Sequence, residues 1–522
     1  MRTRTTPWIA LVVIVARPEA FSGVEADTSR GRLEIRVSEK AATGKTGESG
    51  EPEPLPCRVH LADPSGRALQ APGLPFFRDH FNCEGSVDLV LPAGEYRYTI
   101  ARGPEYGQVS GKVRVEAAEK RRLEVTLERW IDLAARGWWS GETHVHRPLD
   151  DIPLLLQSED LHVVPVLTQW NQRNHWSSRP VPEKLVRRAG PRRLYHVLGC
   201  EDERRGGALF FLNLRRPLDL AGAGPEYPSP VEYLGQALRQ PDVWVEVEKP
   251  FWWDMPTWVA TGKVNALGLA NNHMCRDRML EDEAWGRARD VERLPAPRGN
   301  GFYSQEIYYR LLNCGFRIPP TAGSASGVLP NPVGYNRVYV HLDGEFSWDA
   351  WWRGLAAGRS FVTNGPALLV EANGRLPGEV FRVPSGETLK IVLDIRVDGP
   401  EPFESLEVIR DGEIVRRIPG DEVRGWRRPR PLLFQRSGWF LVRAIVRVDH
   451  TFRFASTAPF YVEAGPAAIR SADVKYFIEW IDERIQRLEK GGRPADPSRL
   501  RSVLEPHRDA RRVFEKLLEK AQ

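Results

Sequence analysis

Two histidines one residue apart, His144 and His146, are the chain's clearest chemical signal, in Gly141-Glu142-Thr143-His144-Val145-His146 directly after the apolar stretch Ile131 to Trp139. Alternate side chains of an extended strand share a face, so both imidazoles reach toward one point and supply half of a divalent-metal site. With 11 histidines in 522 residues, chance would give roughly 0.2 such pairs per chain, and the spacing needs company. Glu201 follows the apolar run Val197-Leu198-Gly199-Cys200, and His273 follows Val264 to Ala270. Both stand where a strand should end. His273 could join the histidine pair around one ion, Zn, Mn or Fe, which with a carboxylate beside it would keep an open water position. An ion held there lowers the pKa of bound water from ~15.7 to about 7 and polarises an ester oxygen. Glu142 and Glu248 are then the expected proton acceptors, and Lys249 is either a fixed positive charge facing a developing oxyanion or an inert salt-bridge partner beside Glu248.

Aromatic residues crowd the same segments, in Gln169-Trp170-Asn171 and in Lys249-Pro250-Phe251-Trp252-Trp253-Asp254. Indole faces hold sugar rings and aromatic groups while a few polar neighbours fix orientation. Gln169, Trp170, Asn171, Trp252, Trp253 and Asp254 are therefore the expected substrate-binding set, for a small-molecule or carbohydrate-like substrate. Beyond Glu201, the charge run Asp202-Glu203-Arg204-Arg205 reads as a surface turn. Phosphate loops, nucleophile elbows and His-Glu-x-x-His helices are missing from the sequence.

The elements that must position these groups belong to a chain too long for one core. Residues 1–27 read as a signal peptide, with Arg2 and Arg4 before the apolar run Trp8 to Ala16. Export to the periplasm or exterior follows, with no stable membrane insertion afterwards. Residues 30–128 alternate apolar and polar positions around a Pro92-Ala93-Gly94 turn, the pattern of a small prealbumin-like β-sandwich. Residues 131–365 mix short apolar strands with helix-length amphipathic stretches, an α/β layer or barrel. Alternation returns in 366–464 around an Asp411-Gly412 hairpin turn, a second, Ig-like sandwich. Residues 470–522 carry an apolar stripe at helical spacing, broken at Gly491-Gly492. That helical hairpin buries its stripe against a neighbouring domain or a second copy, which leaves a homodimer open. Five cysteines are too few for a disulfide scaffold, though Cys57 and Cys83 could pair after export. The net charge of +5 is scattered, so nucleic acid is not implied.

From about Gly137 to Asn364 the chain resembles the polymerase-and-histidinol-phosphatase (PHP) metallohydrolases, particularly the carbaryl-hydrolase-like CehA/McbA branch. Gly-Glu-Thr-His-Val-His is similar to their Gly-Asp-x-His-x-His opening, and Phe361-Val362-Thr363-Asn364-Gly365-Pro366 leads into a β-sandwich as in that branch. The resemblance implies a distorted (β/α)7 barrel hydrolysing a phosphoester, carbamate or related ester, with Glu201 as bridging carboxylate. It also marks departures. Thr168-Gln169-Trp170 stands for Thr-Asp-His, Glu248-Lys249-Pro250 for Ala-His-Pro, and Gly323-Ser324-Ala325-Ser326-Gly327 for Gly-Ser-Asp-x-His. A reduced, mononuclear site is implied. The other reading is a catalytically degenerate binding protein with a Trp-lined pocket for carbohydrate or aromatic ligands.

Overall fold

The computed structural model describes residues 29–40, 53–491 and 497–521; the expected signal peptide lies outside them. The protein is a mixed α/β molecule rich in sheet, with seven α-helices among the described residues and a helical pair at its C-terminal end. No helix of the described residues is long and apolar enough to cross a membrane.

The first strands form two sheets over one core. Arg30–Glu39 runs antiparallel to Ser86–Pro92 and parallel to Lys120–Leu127. Cys57–Ala62 lies between His80–Cys83 and Gly94–Ala101 in a five-stranded sheet. Leu33, Ile35, Val59, Phe81, Ile100 and Val125 fill the space between, because alternation sends every second residue inward. Cys57 and Cys83 are directly opposite each other, both buried, with Sγ atoms 3.7 Å apart.

The central strands and helices are β1 (Trp138–Gly141), α1 (Ile152–Ser158), β2 (Val163–Trp170), β3 (Leu194–Arg204), β4 (Gly207–Leu212), α2 (Pro230–Ala237), β5 (Trp244–Val247), α3 (Met255–Ala260), β6 (Ala266–Ala270), α4 (Gly299–Asn313) and β7 (Pro320–Ala322). β2 pairs in parallel with β1 and β3, and β5, β6 and β7 pair in parallel in turn. β4 runs antiparallel between β3 and β5. The sequence pattern does not anticipate this reversal: Arg205-Gly206 is too short for a crossover helix, so only a hairpin can follow β3. Gly207, at φ +115°, lets the Trp252 indole sit against that hairpin, where a Cβ would come within 2.3 Å of its Cγ. The circuit of pairings returns to the histidine segment, since Thr143 N–H donates to Ala322 O, Ala325 N–H to His144 O and His146 N–H to Ser326 O. Strands such as β2 and β4 are apolar on both faces because both are covered.

β8 (Arg337–His341), α5 (Trp348–Ala356) and β9 (Ser360–Thr363) follow, and β9 pairs with Phe454–Thr457, which ties the later strands into the same sheet. Asp411 and Gly412 both have positive φ, as a two-residue type I′ hairpin turn requires. The core of this later region also takes in Ile131, Leu133, Trp138, Tyr339 and Phe361. The terminal helices α6 (Ser471–Lys490) and α7 (Pro497–Lys520) bury Phe477, Trp480, Ile481 and Phe514 in the same core as Met255 and Trp258 of α3 and Ile307 of α4. The apolar stripe is thus covered within the chain. Asp160, buried, accepts from Arg102, Arg129 and Arg193, at 3.2, 2.9 and 2.5 Å, and so joins the N-terminal sheets to the central strands.

Candidate metal centre

Val145 sets the direction of its two neighbours. Its backbone bridges Val166 on one side and Ser326 on the other, and its side chain is fully buried in an apolar cluster with Leu155, Leu161 and Val197. His144 and His146 therefore turn together to the opposite face. Their Nε2 atoms are 3.1 Å apart. Glu201 Oε2, from the end of β3, lies 2.9 Å from His146 Nε2 and 3.8 Å from His144 Nε2. A triangle with these sides has a circumscribed radius of about 1.9 Å, and the face of a tetrahedral donor shell at 2.1 Å has one of about 2.0 Å. Glu201 Oε2 is buried and accepts no hydrogen bond, an orphaned acceptor that a cation would satisfy. These residues fit a divalent ion.

The surroundings keep both imidazoles in the ligating form. Burial, with the charge of Lys249 and the other ring adding to it, holds His144 well below the usual histidine range. Burial brings His146 down to about 4. Glu248 Oε1 faces His144 Nδ1 at 3.3 Å, the outer partner that fixes the orientation of a ligating ring. That carboxylate also accepts from Asn272 Nδ2 at 2.8 Å and Trp252 Nε1 at 3.2 Å, and pairs with Lys249 Nζ at 2.5 Å. Carboxylate oxygens of Glu201, Glu203 and Glu248 all lie within 4.8 Å of one another. Ionised, three carboxylates against one ammonium leave a buried excess of two negative charges, the charge of one divalent ion. Without such an ion, burial and the charge of Glu248 push Glu201 well above the carboxylate range, and burial with Glu201 and Glu248 pushes Glu203 up to about 7.

Two cavities, of about 630 and about 410 Å³, adjoin the His146 side chain, which is 8% exposed, and share Leu167, Thr168 and His175. Trp170 lines the smaller, with its ring 5.2 Å from that of His146, and donates from Nε1 to Glu203 Oε2 at 3.0 Å. Asn171 lines a neighbouring cavity, and its Oδ1 accepts Glu203 N–H at 2.7 Å.

Several expected site residues do other work. His273 belongs to no three-donor group among the described residues. Its backbone N–H donates to Asn271 Oδ1, and this tight turn carries the ring onto Phe251, 5.3 Å between centroids. Glu142 is not at the histidine face, because the backbone bends at Thr143. Its carboxylate accepts the N–H groups of Ser324 and Gly334, and burial pushes it up to about 8. Gln169 is buried and clamps Leu218, donating to its carbonyl and accepting its N–H. Trp252 is buried against Glu248 and Lys249. Trp253 and Asp254 face the terminal helices: Arg487 lies 4.2 Å over the Trp253 ring, and Arg484 Nε donates to Asp254 Oδ1 at 2.6 Å. Asp202 is no surface turn residue but fully buried, paired with Arg204 at 2.7 Å. Glu203, read in the sequence as part of a surface turn, stands two residues after Glu201 on one strand and so shares its face.

No family model matches the chain, and no curated protein matches it. Among solved structures, the Bacillus anthracis TIE protein aligns at 17% identity over 23% of this chain and 20% of that chain, with a TM-score of 0.15, a likeness that carries no argument about fold or activity.

Proposed function

We propose that the chain is an exported metal-dependent hydrolase of the PHP type, in its CehA/McbA branch, built on that family's distorted (β/α)7 barrel and cleaving an ester, carbamate or phosphoester. The observation that carries this reading is the donor triangle of His144 Nε2, His146 Nε2 and Glu201 Oε2 at the edge of a cavity. One divalent ion, Zn, Mn or Fe, would supply Lewis acidity and an activated water when bound there. Glu248 orients His144, and Glu203, half-buried beside Trp170 at the cavity side, is placed to take a proton from water. The Lys249 ammonium takes the place a second ion would have among the three carboxylates, which makes the site mononuclear. A binding module with a Trp-lined pocket is the weaker reading, since Trp252 is packed in the interior and Trp253 is turned away from His146 toward the terminal helices.

Metal analysis of the purified chain tests the proposal. One equivalent of a transition metal is expected, lost in the double variant His144→Ala, His146→Ala together with hydrolysis of model esters, carbamates or phosphoesters. A wild-type chain that retains no ion under metal-replete conditions would sink it.

A further inference from the structure

The cavity of about 630 Å³ beside His146 is lined by Arg147, Arg179, Arg187 and His175, with Asp150 as its acidic member. The adjoining cavity of about 410 Å³ adds Arg173. Among the described residues Arg173, Arg179 and Arg187 form no ion pair with a carboxylate, unlike Arg147, Arg193, Arg204 and Arg215 nearby in the chain. Arg147 is different: its guanidinium lies 5.2 Å over the Phe77 ring and is part of the cavity wall. It is 4% exposed, its Nη2 pairs with Asp151 at 2.9 Å, and its buried Nη1 has no acceptor. With Arg147 neutralised by Asp151, Arg179 and Arg187 against Asp150 leave the larger cavity a net charge of +1, and guanidinium forks match the oxygens of carboxylate, sulfate or phosphate two at a time.

We propose that this cavity is a recognition site for an anionic group of the substrate, held by Arg179 and Arg187 beside the bond to be cut. The inference rests on the hydrolase reading only for its second half, because an anion can bind the arginines whether or not His146 holds a metal. It narrows the substrate class to an ester or amide-like molecule carrying a carboxylate, sulfate or phosphate next to its scissile bond.

Inorganic phosphate and sulfate are the probes, read by calorimetry and thermal shift on the full chain, on His144→Ala/His146→Ala and on Arg179→Gln/Arg187→Gln. Both arginines are exposed, so their replacement leaves packing alone. Phosphate should bind the wild type and the histidine variant alike, and the arginine variant at least about 10-fold more weakly, since each charge-assisted hydrogen bond contributes roughly that factor. Phosphate binding that disappears in the histidine variant would assign the anion to the metal. Binding unchanged in the arginine variant, or no binding to the wild type at about 10 mM, would overturn the inference. One equivalent of metal with no anion binding removes this inference alone; an anion site in a chain that takes up no metal removes the hydrolase reading alone.

Discussion

Replacing Lys249 by methionine removes one charge from the buried group of Glu201, Glu203 and Glu248 and nearly preserves side-chain length. The ammonium is 2.5 Å from Glu248 Oε1, and both side chains are under 5% exposed, at 4% and 3%. At that separation two unit charges attract by roughly 6–7 kcal/mol with an effective dielectric of 20, much of which offsets the cost of taking both out of water. Removing one partner of a buried pair costs about 3–5 kcal/mol, and metal-free Lys249→Met should lose that much unfolding free energy. The vacated place lies among three carboxylates, so it should accept a divalent ion. An ion at 100 times its Kd stabilises by about 2.7 kcal/mol per site, so Mn²⁺ should add about 2.7 kcal/mol to the wild type and about 5.4 kcal/mol to the variant. Urea denaturation with chelator and with Mn²⁺ measures both numbers, and metal analysis should count one ion in the wild type and two in the variant. A variant that holds one ion and gains no more from Mn²⁺ than the wild type would refute the assignment of Lys249 as the second cation.

Gly323→Ala would place a Cβ 2.3 Å from the Cβ of His144, so that ring must shift, and chelator competition should show metal affinity falling about 10–100-fold. Unchanged affinity would mean that the ring position does not govern binding. Asp160→Asn keeps the side-chain shape and suits the left-handed backbone there, at φ +49°, but leaves Arg102, Arg129 and Arg193 without their shared charge. It should cost about 3–5 kcal/mol in urea denaturation, and a cost under about 1 kcal/mol would show that the three guanidiniums find water instead. Burial pushes His162 down to about 3 and His196 and His507 down to about 4, so the folded chain keeps them neutral where the unfolded chain binds protons. Their contribution to stability is complete above about pH 6.5 and falls as pH drops toward 4, by up to about 1.4 kcal/mol per pH unit for each. Urea midpoints measured from pH 7 to pH 5 should decline, and His507→Gln should flatten the slope; an unchanged slope would contradict the burial argument.

Much of this arrangement is legible in the sequence where a short-range rule governs it. The i, i+2 spacing of His144 and His146 is enough to put both rings on one face, because Val145 between them is apolar and must go the other way. The stripe of Val474, Phe477 and Ile481 is enough to require a covering surface. Long-range geometry is what the rules miss. Nothing local says that Arg484, far along the chain, will take Asp254 away from the cavity, or that the Asn271 side chain will turn His273 onto Phe251. Glu203 is a different case: the same two-residue period that reveals the histidines applies to Glu201 and Glu203, but a mixed charge run masks it as a turn. The antiparallel β4 is hidden because its apolar residues look like those of any buried strand, and only the short link before it reveals its direction.

The segment from Lys249 to Asp254 is tethered at both ends. At one end stand the ammonium and the carboxylate of Glu248; at the other, Asp254 is gripped by Arg484 at 2.6 Å, with His507 Nε2 3.7 Å away. The tail of the chain therefore works as a guy-rope for the wall beside the metal centre: cutting before Ser471, or pulling Arg484 aside, would slacken the peptide that carries Lys249 and let the charge balance beside Glu201 drift.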